Sequence, residues 1–482
     1  MSALWGAAGA VLWIALAVWS AWHALLHKRL PQSKLLWLVA IWSVPIAGAV
    51  VYALVGVDRI GRRSTIKELR NRDVRGELSA LLETDGDWSE SPAEADQLSS
   101  HLVDYAHLLA QLSRYRAATR NHVELLDGGD IWFPRLLGAI DAASSFVVLE
   151  TYIYDCDAIG TQVLHALRRA TQRGVRCYVL YDAIGSLNLD LVAVSEAQAD
   201  GVRISPFASR SLLRGRFQIN LRNHRKIVVV DGVLGYTGGT NISARHTSRQ
   251  DGVVESEDCH FEIKGLAVHQ LTAAFAEDWH YATGEKLVEP MFYPPSVTAG
   301  EAVCRVLPSG PDGDRDVWQK VLVTGIHNAQ RVIRLQSPYF IPDAALMLAL
   351  TTAAQRGVDV QVIVPRRTDH RYVDWAMKSF FGELAAGGVN VYRREPPFVH
   401  SKLLVLDDEW ASVGSANVDP RSFHLNYELN LGVTGRHALS QIVGYFEAQR
   451  ARSEPLPEDW NQLRGPVVRA WSSFWALWSP LL

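Results

Sequence analysis

Cysteine is scarce: the 482 residues hold four, Cys156, Cys177, Cys259 and Cys304, scattered and with no C-x-x-C spacing. That scarcity excludes a disulfide framework and a zinc knuckle, and it predicts buried, reduced thiols. A basic excess is also lacking, since 48 Lys and Arg face 51 Asp and Glu for a formal net charge of -3. The chain therefore has no global positive field to draw it onto nucleic acid, and any anion binding has to be local. Disorder is excluded as the general state, because 48% of the residues are hydrophobic and only 21% are charged.

Charge is missing altogether from two stretches near the N-terminus. Residues 4–26 are apolar apart from His23, and residues 35–56 contain no charged residue. Each run has the length needed to span a bilayer. Trp5, Trp19, Trp22, Trp37 and Trp42 punctuate them, as suits segments that meet a membrane interface. The first run has no positive region ahead of it, so a cleaved signal peptide is not expected. Residues 1–60 are thus predicted to form a transmembrane hairpin; the competing reading is a pair of buried core helices. Pro45 permits a kinked or re-entrant form of the second segment. Lys28, Arg29 and Lys34 lie between the runs, and the larger group Arg59, Arg62, Arg63, Lys67, Arg70 and Arg72 follows them. The positive-inside rule then places the N-terminus and the main domain on the cytoplasmic side.

Residues 61–120 read as a juxtamembrane linker and an amphipathic helix. Acidic and turn-forming residues dominate 76–97, and helical periodicity returns over 98–115. Beyond residue 121 a long-period repeat appears. The apolar run 146–154 leads through a helical stretch to Gln172-Arg-Gly-Val175 and then to the strand-like 176–182; the run 332–341 leads likewise to Gln355-Arg-Gly-Val358 and 360–365. Equivalent points lie about 180 residues apart, too long for a solenoid and right for duplicated domains. The fold class expected is α/β, a mixed sheet covered by helices, with one domain over 121–295 and its duplicate over 296–482.

The same duplication carries the chemistry. His224-x-Lys226-x4-Asp231 is followed by Gly238, Gly239 and Asn241; 176 residues later His400-x-Lys402-x4-Asp407 is followed by Gly414, Ser415 and Asn417. A His and a Lys two apart at a strand end share one face. One imidazole can then attack phosphorus while the other protonates the leaving oxygen, with both lysines and both Asn amides stabilising the non-bridging oxygens. Glycines before each Asn allow a tight turn and a close backbone approach to phosphate. Asp231 and Asp407 each follow a strand and precede a turn, so turn stabilisation and direct chemistry are both open for them. Two lysines would repel a metal ion, and metal-independent chemistry without a cofactor is expected. One such motif is a weak signal; two with matching offsets predict two half-sites that build one phosphate site.

These residues resemble the paired HKD motifs of the phospholipase D superfamily, and within it the bacterial cardiolipin synthases. The second half adds Ser337-Pro-Tyr-Phe-Ile-Pro342, Val413-Gly-Ser-Ala-Asn417 and Asp419-x-Arg-Ser-Phe423-x-Leu-Asn-x-Glu428; the first adds Leu221-Arg-Asn-His-Arg-Lys226. Val44-Pro-x-x-Gly48, Tyr52-x-Leu-x-Gly56 and the ending Ser479-Pro-Leu-Leu482 extend the likeness over most of the chain. The resemblance implies transfer of a phosphatidyl group from one phosphatidylglycerol to another, with His224 as nucleophile and His400 as acid and then base. Glu428 and, by position, Asp258 would hydrogen-bond the two imidazoles, with Glu255 or Glu257 as alternatives to Asp258. It further implies a multi-pass protein of the bacterial inner membrane, with the bilayer and phosphatidylglycerol as partners and no nucleic acid. A homodimer is left open, as is the acceptor. A phospholipase D hydrolase would use the same residues with water as acceptor, and a non-catalytic scaffold is the remaining alternative. The tail Trp471-x-x-x-Trp475-x-x-Trp478 sets three indoles on one helical face, either beside a lipid route at headgroup level or packed into the core.

Overall fold

The computed structural model describes every residue except 1, 29–30, 45, 54–58, 85–93, 208–220, 249–251, 253, 458 and 478–482. Pro45, Gly56, part of the acidic linker, Trp478 and the ending 479–482 therefore lie outside the described residues, as does the side chain of Trp5. The chain divides into two compact units, residues 1–67 and 68–482.

In the smaller unit a helix runs from Ser2 to His27, but the second apolar run is not the continuous span its composition suggests. It forms two shorter helices, Pro31–Ser43 and Ala47–Val51, with Ile46 between them at φ 64°. A proline next to this break accounts for it, because its ring removes an N–H donor and disfavours helix in the preceding residue. Among the described residues no helix is long and apolar enough to cross a membrane.

The stretch beginning at residue 76, expected as a turn-rich linker, continues the helix Arg59–Thr84. Val74 and Leu78, one turn apart, are fully buried and give it a packing face. The expected amphipathic helix is present as Ser100–Leu112, with Leu102, Tyr105, Ala106 and Leu109 inward.

The rest is built on two similar half-sheets. The first half contributes β1 (Ala118–Asp127), β2 (Phe146–Thr151), β3 (Arg176–Tyr181), β4 (Arg203–Pro206), β5 (Arg222–Asn223), β6 (Ile227–Val230), β7 (Leu234–Gly238), β8 (Ser256–Glu257) and β9 (Cys259–Lys264). The second contributes β10 (Ala302–Ser309), β11 (Val332–Gln336), β12 (Asp359–Pro365), β13 (Asn390–Arg394), β14 (Phe398–Val399), β15 (Leu403–Leu406), β16 (Trp410–Gly414), β17 (Asn426–Val433) and β18 (Ser453–Pro455). The order β4-β3-β2-β6-β7-β9-β1 in one half is matched by β13-β12-β11-β15-β16-β17-β10 in the other, and antiparallel β1–β10 pairing joins them edge to edge. Within each half, parallel pairs such as β2–β3 and β11–β12 adjoin antiparallel ones such as β2–β6 and β11–β15, which is the mixed sheet expected.

The central strands Phe146–Thr151, Ile227–Val230 and Leu403–Leu406 are buried at every position, so they read as unbroken apolar runs instead of alternating ones. The crossover helices Ala158–Gln172 and Ala344–Gln355 start alike, on Asp157 and Asp343 side chains that accept backbone N–H bonds. They also stop alike. Gly174 and Gly357, at φ 90° and 91°, turn the chain so that Val175 and Val358 bond back to the carbonyls of Ala170 and Ala353. The repeated Gln-Arg-Gly-Val is thus a helix stop read twice.

Candidate active site

Two of the shortest strands do the positioning. β5, immediately before His224, leaves its own half and pairs in parallel with β17 of the other, in the register Arg222↔Asn426 and Asn223↔Tyr427. β14, immediately before His400, pairs in parallel with β8 of the first half, in the register Phe398↔Ser256 and Val399↔Glu257. One step further along each ladder, His224 comes opposite Glu428 and His400 opposite Asp258. The ladders are closed by His224 N–H to the Tyr427 carbonyl (2.8 Å) and His400 N–H to the Glu257 carbonyl (2.7 Å).

Each imidazole consequently takes its carboxylate from the opposite half. His224 Nδ1 lies 2.9 Å from Glu428 Oε2, and His400 Nδ1 lies 2.8 Å from Asp258 Oδ2. A carboxylate can only accept, so both Nδ1 atoms carry the proton and both Nε2 atoms keep a lone pair. Glu257 is engaged elsewhere, with Arg394 and Arg452, and Glu255 with Arg245, which leaves Asp258 as the partner of His400.

Burial governs the electrostatics. It pulls both imidazoles down to about 4; Lys226 and Lys402 depress His224 further against Glu428, as they do His400 against Asp258. Burial likewise lowers Lys226 to about 7 and Lys402 to about 8, against the pull of the same two acids. Asp258 and Glu428 are held below the usual carboxylate range: burial pushes each up, but Lys402 with His400, and His224 with Lys226, outweigh it. Without substrate the site therefore holds two neutral imidazoles between two buried amines. Asp258 and Glu428 supply the negative charge of the site, and the two amines, when protonated, are the cations it offers a phosphodiester anion.

The two lysines differ. Lys226 Nζ donates to the carbonyl of His224 (2.8 Å) and Lys402 Nζ to that of His400, but Lys402 Nζ also lies 2.9 Å from His400 Nδ1 and 3.1 Å from Nε2. Asn241 Oδ1 accepts from Ile153 N–H at 3.2 Å. Asn417 Oδ1 is buried with no hydrogen-bond partner among the described residues. No group of three or more His, Cys, Asp or Glu that could hold a metal ion occurs among the described residues.

Four of the expected site residues have other work in the geometry. Asp231 and Asp407 stand at the far ends of β6 and β15, about 16 Å along the strand from the lysines at ~3.3 Å per residue. Asp231 accepts from the N–H groups of Ser144, Ser145 and Phe146, and Asp407 from those of Gln330, Arg331 and Val332. Both sit at positive φ, 53° and 51°, which Asp tolerates better than most residues. Of the two readings left open for them, these backbone bonds are those of turn stabilisation. Gly239 makes room for a carboxylate instead of a phosphate, since a Cβ there would lie 2.4 Å from Asp258 Oδ1. Ser415 donates from Oγ to Glu428 Oε2 at 2.6 Å, so it orients the acid and does not face the substrate.

Several contributors had no role assigned from the sequence, although Tyr339, Ser422, Asn426 and Arg225 stand within the motifs. Tyr152 sets its ring edge-on to His224, centroids 4.7 Å apart, and Tyr339 does the same to His400 at 6.2 Å. They do not occupy equivalent places in the two halves: Tyr154 and Phe340 make the matching bridges to Ile242 and Val418, which aligns Tyr339 with Ile153 and leaves Tyr152 opposite Pro338. Ser422 Oγ and Asn426 Nδ2 complete the cradle of Glu428 at 2.9 and 3.1 Å. Arg225, fully buried, ties the strands from behind: its Nη1 donates to Asp278 (2.7 Å) and its Nε to the Glu428 carbonyl (3.1 Å). Nothing in local spacing marks Asp278, 53 residues away.

Known proteins resemble this chain in sequence and fold. The profile of the family described as "Cardiolipin synthase, PLD-like domain" matches residues 136–279 and 322–450, and that of "Phospholipase D-nuclease N-terminal" matches 15–56. "Cardiolipin synthase" of Geobacillus thermodenitrificans is 33% identical over 95% of this chain and 90% of its own length. "Cardiolipin synthase A" of Pseudomonas aeruginosa is 34% identical over 92% and 90%. Among solved structures, the phosphatidylserine synthase of Haemophilus influenzae superposes with a TM-score of 0.59 at 14% identity, covering 75% of this chain and 95% of that one, which speaks for the fold. With a family profile matching both halves and relatives at this identity over nearly the whole length, the chain belongs to the cardiolipin synthase family, built from two phospholipase D-like domains.

Proposed function

We propose that this protein is a phosphatidyltransferase that joins two phosphatidylglycerol molecules into cardiolipin and releases glycerol. The observation that carries the reading is the crossed pair of His–carboxylate bonds, which gives one site two imidazoles oriented through Nδ1, each with its lone pair on Nε2. In the first step His224 Nε2 attacks phosphorus, the bond to the glycerol headgroup breaks, and His400 delivers a proton to the departing oxygen. In the second, His400 takes the proton from a hydroxyl of the second phosphatidylglycerol. That oxygen then attacks phosphorus and the P–N bond breaks, restoring neutral His224.

Lys226, Lys402, Asn241 and Asn417 are placed on the non-bridging oxygens, where positive charge and amide donors stabilise the crowded phosphorus. The bound anion also raises the low imidazole pKa, so that His400 can hold the proton it must donate. The division of labour between the histidines follows the family order and not the near-symmetric geometry. The acceptor, a second phosphatidylglycerol, follows the family name.

Residues 1–60 are proposed to anchor the enzyme as a membrane-embedded hairpin of the bacterial inner membrane, with the catalytic unit on the cytoplasmic side. Support comes from the two apolar runs, from the N-terminal family match, and from the outward exposure of Val11, Leu12, Trp22, Leu35 and Trp42. Holding enzyme and both lipids in one plane favours lipid acceptors over water.

The test is incubation of the full chain with phosphatidylglycerol in the presence of a chelator, followed by mass spectrometry of the lipids. Cardiolipin with free glycerol is expected. Phosphatidic acid alone would make the enzyme a hydrolase. Peptides from enzyme quenched in neutral denaturant, which spares the acid-labile P–N bond, should carry the phosphatidyl group on His224, and recovery on His400 would reverse the assignment.

A further inference from the structure

The C-terminal helix Pro466–Leu477 presents an apolar face that the catalytic site does not use. Val467, Trp471 and Phe474, spaced for one side of a helix, are 80%, 48% and 44% exposed. The opposite side is seated on the fold: Ser472 is fully buried and Trp475 packs against the core of the second half. Of the expected cluster of three indoles, then, one is packing, one is displayed, and Trp478 lies outside the described residues.

The displayed face is continuous with the active site. Trp471 and Trp475 are 5.8 Å apart between ring centroids, Trp475 and Tyr372 6.1 Å, Tyr372 and His370 5.6 Å, His370 and Tyr339 6.0 Å, and Tyr339 and His400 6.2 Å. Tyr372 and His370 are themselves exposed, so this row of rings is a surface track from the helix to the second half-site. Within residues 460–477 the charged residues are Arg464 and Arg469, while Asp459 precedes them and Asp374 lies near Arg464.

We propose that this face is a bilayer-contact surface that seats the catalytic unit on anionic phospholipid headgroups, and that the aromatic row guides the lipid to His400. An amphipathic helix with Trp and Phe on one side and basic residues flanking it matches the headgroup region, where indoles are favoured and anionic lipid attracts the arginines. The inference rests on the reading of the protein as an enzyme of phosphatidylglycerol, the anionic lipid that fits this charge. It gives the catalytic unit a membrane contact of its own, separate from residues 1–60.

The test compares the full chain with its Trp471→Ser/Phe474→Ser variant in two settings. One is reconstitution in phosphatidylglycerol vesicles. The other is non-ionic detergent supplied with short-chain dihexanoyl phosphatidylglycerol, which needs no bilayer docking. The variant should be about tenfold slower in vesicles and within about twofold of the parent in detergent. Equal activity in vesicles, or equal loss in both settings, would overturn the proposal. A fluorophore on Val467→Cys, in a Cys156→Ser background, should shift to the blue on phosphatidylglycerol vesicles; an unshifted spectrum also refutes the contact. If the parent makes no cardiolipin in either setting, the functional reading fails, while the fluorophore still decides whether the helix meets the bilayer.

Discussion

Replacing Glu428 with Gln removes one proton acceptor and one charge without changing shape. The carboxylate now receives four donors, His224 Nδ1 at 2.9 Å, Ser415 Oγ at 2.6 Å, Ser422 Oγ at 2.9 Å and Asn426 Nδ2 at 3.1 Å. An amide can face only part of that set with its oxygen, and its NH2 then opposes donors it cannot satisfy. Hydrogen bonds to a charged group contribute ~1.5–3 kcal/mol each, so losing the orienting bond to His224 with one further bond costs about 3–6 kcal/mol. Part of that is lost from the folded state and part from the transition state. If about 3 kcal/mol falls on catalysis, turnover drops by roughly two orders of magnitude. The variant also removes the chief influence that keeps Lys226 protonated against burial, which already brings it to about 7. The high-pH limb of the rate profile should therefore move to lower pH. Asp258→Asn, acting on His400, should slow turnover comparably and move the limb governed by Lys402, which stands at about 8. The assay is cardiolipin formation across pH 5–9 with the thermal midpoint recorded for each variant. Glu428→Gln activity within about threefold of the parent, with an unmoved pH profile, would refute the crossed-pair reasoning.

Asp407→Ala should destabilise the fold by about 2–4 kcal/mol, since three backbone N–H groups lose their acceptor, and enzyme that remains folded should retain most of its kcat; calorimetry beside kinetics separates the two. Gly239→Ala should cut turnover and move the His400 tautomer signal in NMR, because its methyl would displace the Asp258 carboxylate. Acid should weaken the fold over a defined window. Burial holds His224, His246 and His400 at about 4 and His260 at about 3. The unfolded chain takes up these protons near pH 6.5. The histidine contribution is therefore complete above about 6.5 and declines as pH falls towards 4. A thermal midpoint that stays constant between pH 7 and 4.5 would contradict that burial.

By itself, the sequence determined the duplication, the α/β class and the paired His-x-Lys motifs proposed to handle phosphate. Each rests on a local rule. Gln-Arg-Gly-Val ends a helix in both halves because glycine accepts φ near 90°, and unbroken apolar runs such as Ile227–Val230 mark strands covered on both faces. His-x-Lys at a strand end needs only the two-residue alternation of a strand. The helix through residues 76–84 and the true place of Asp231 and Asp407 were settled by packing and by backbone hydrogen bonds, which no local pattern reports. Only the tertiary structure decided which acid serves which histidine. Glu428 lies 204 residues from His224 and Asp258 lies 142 from His400, and it is two short parallel ladders exchanged between the halves that set each pair opposite. Hydrogen bonding along those ladders fixes register to a single residue, and register decides which carboxylate meets which ring.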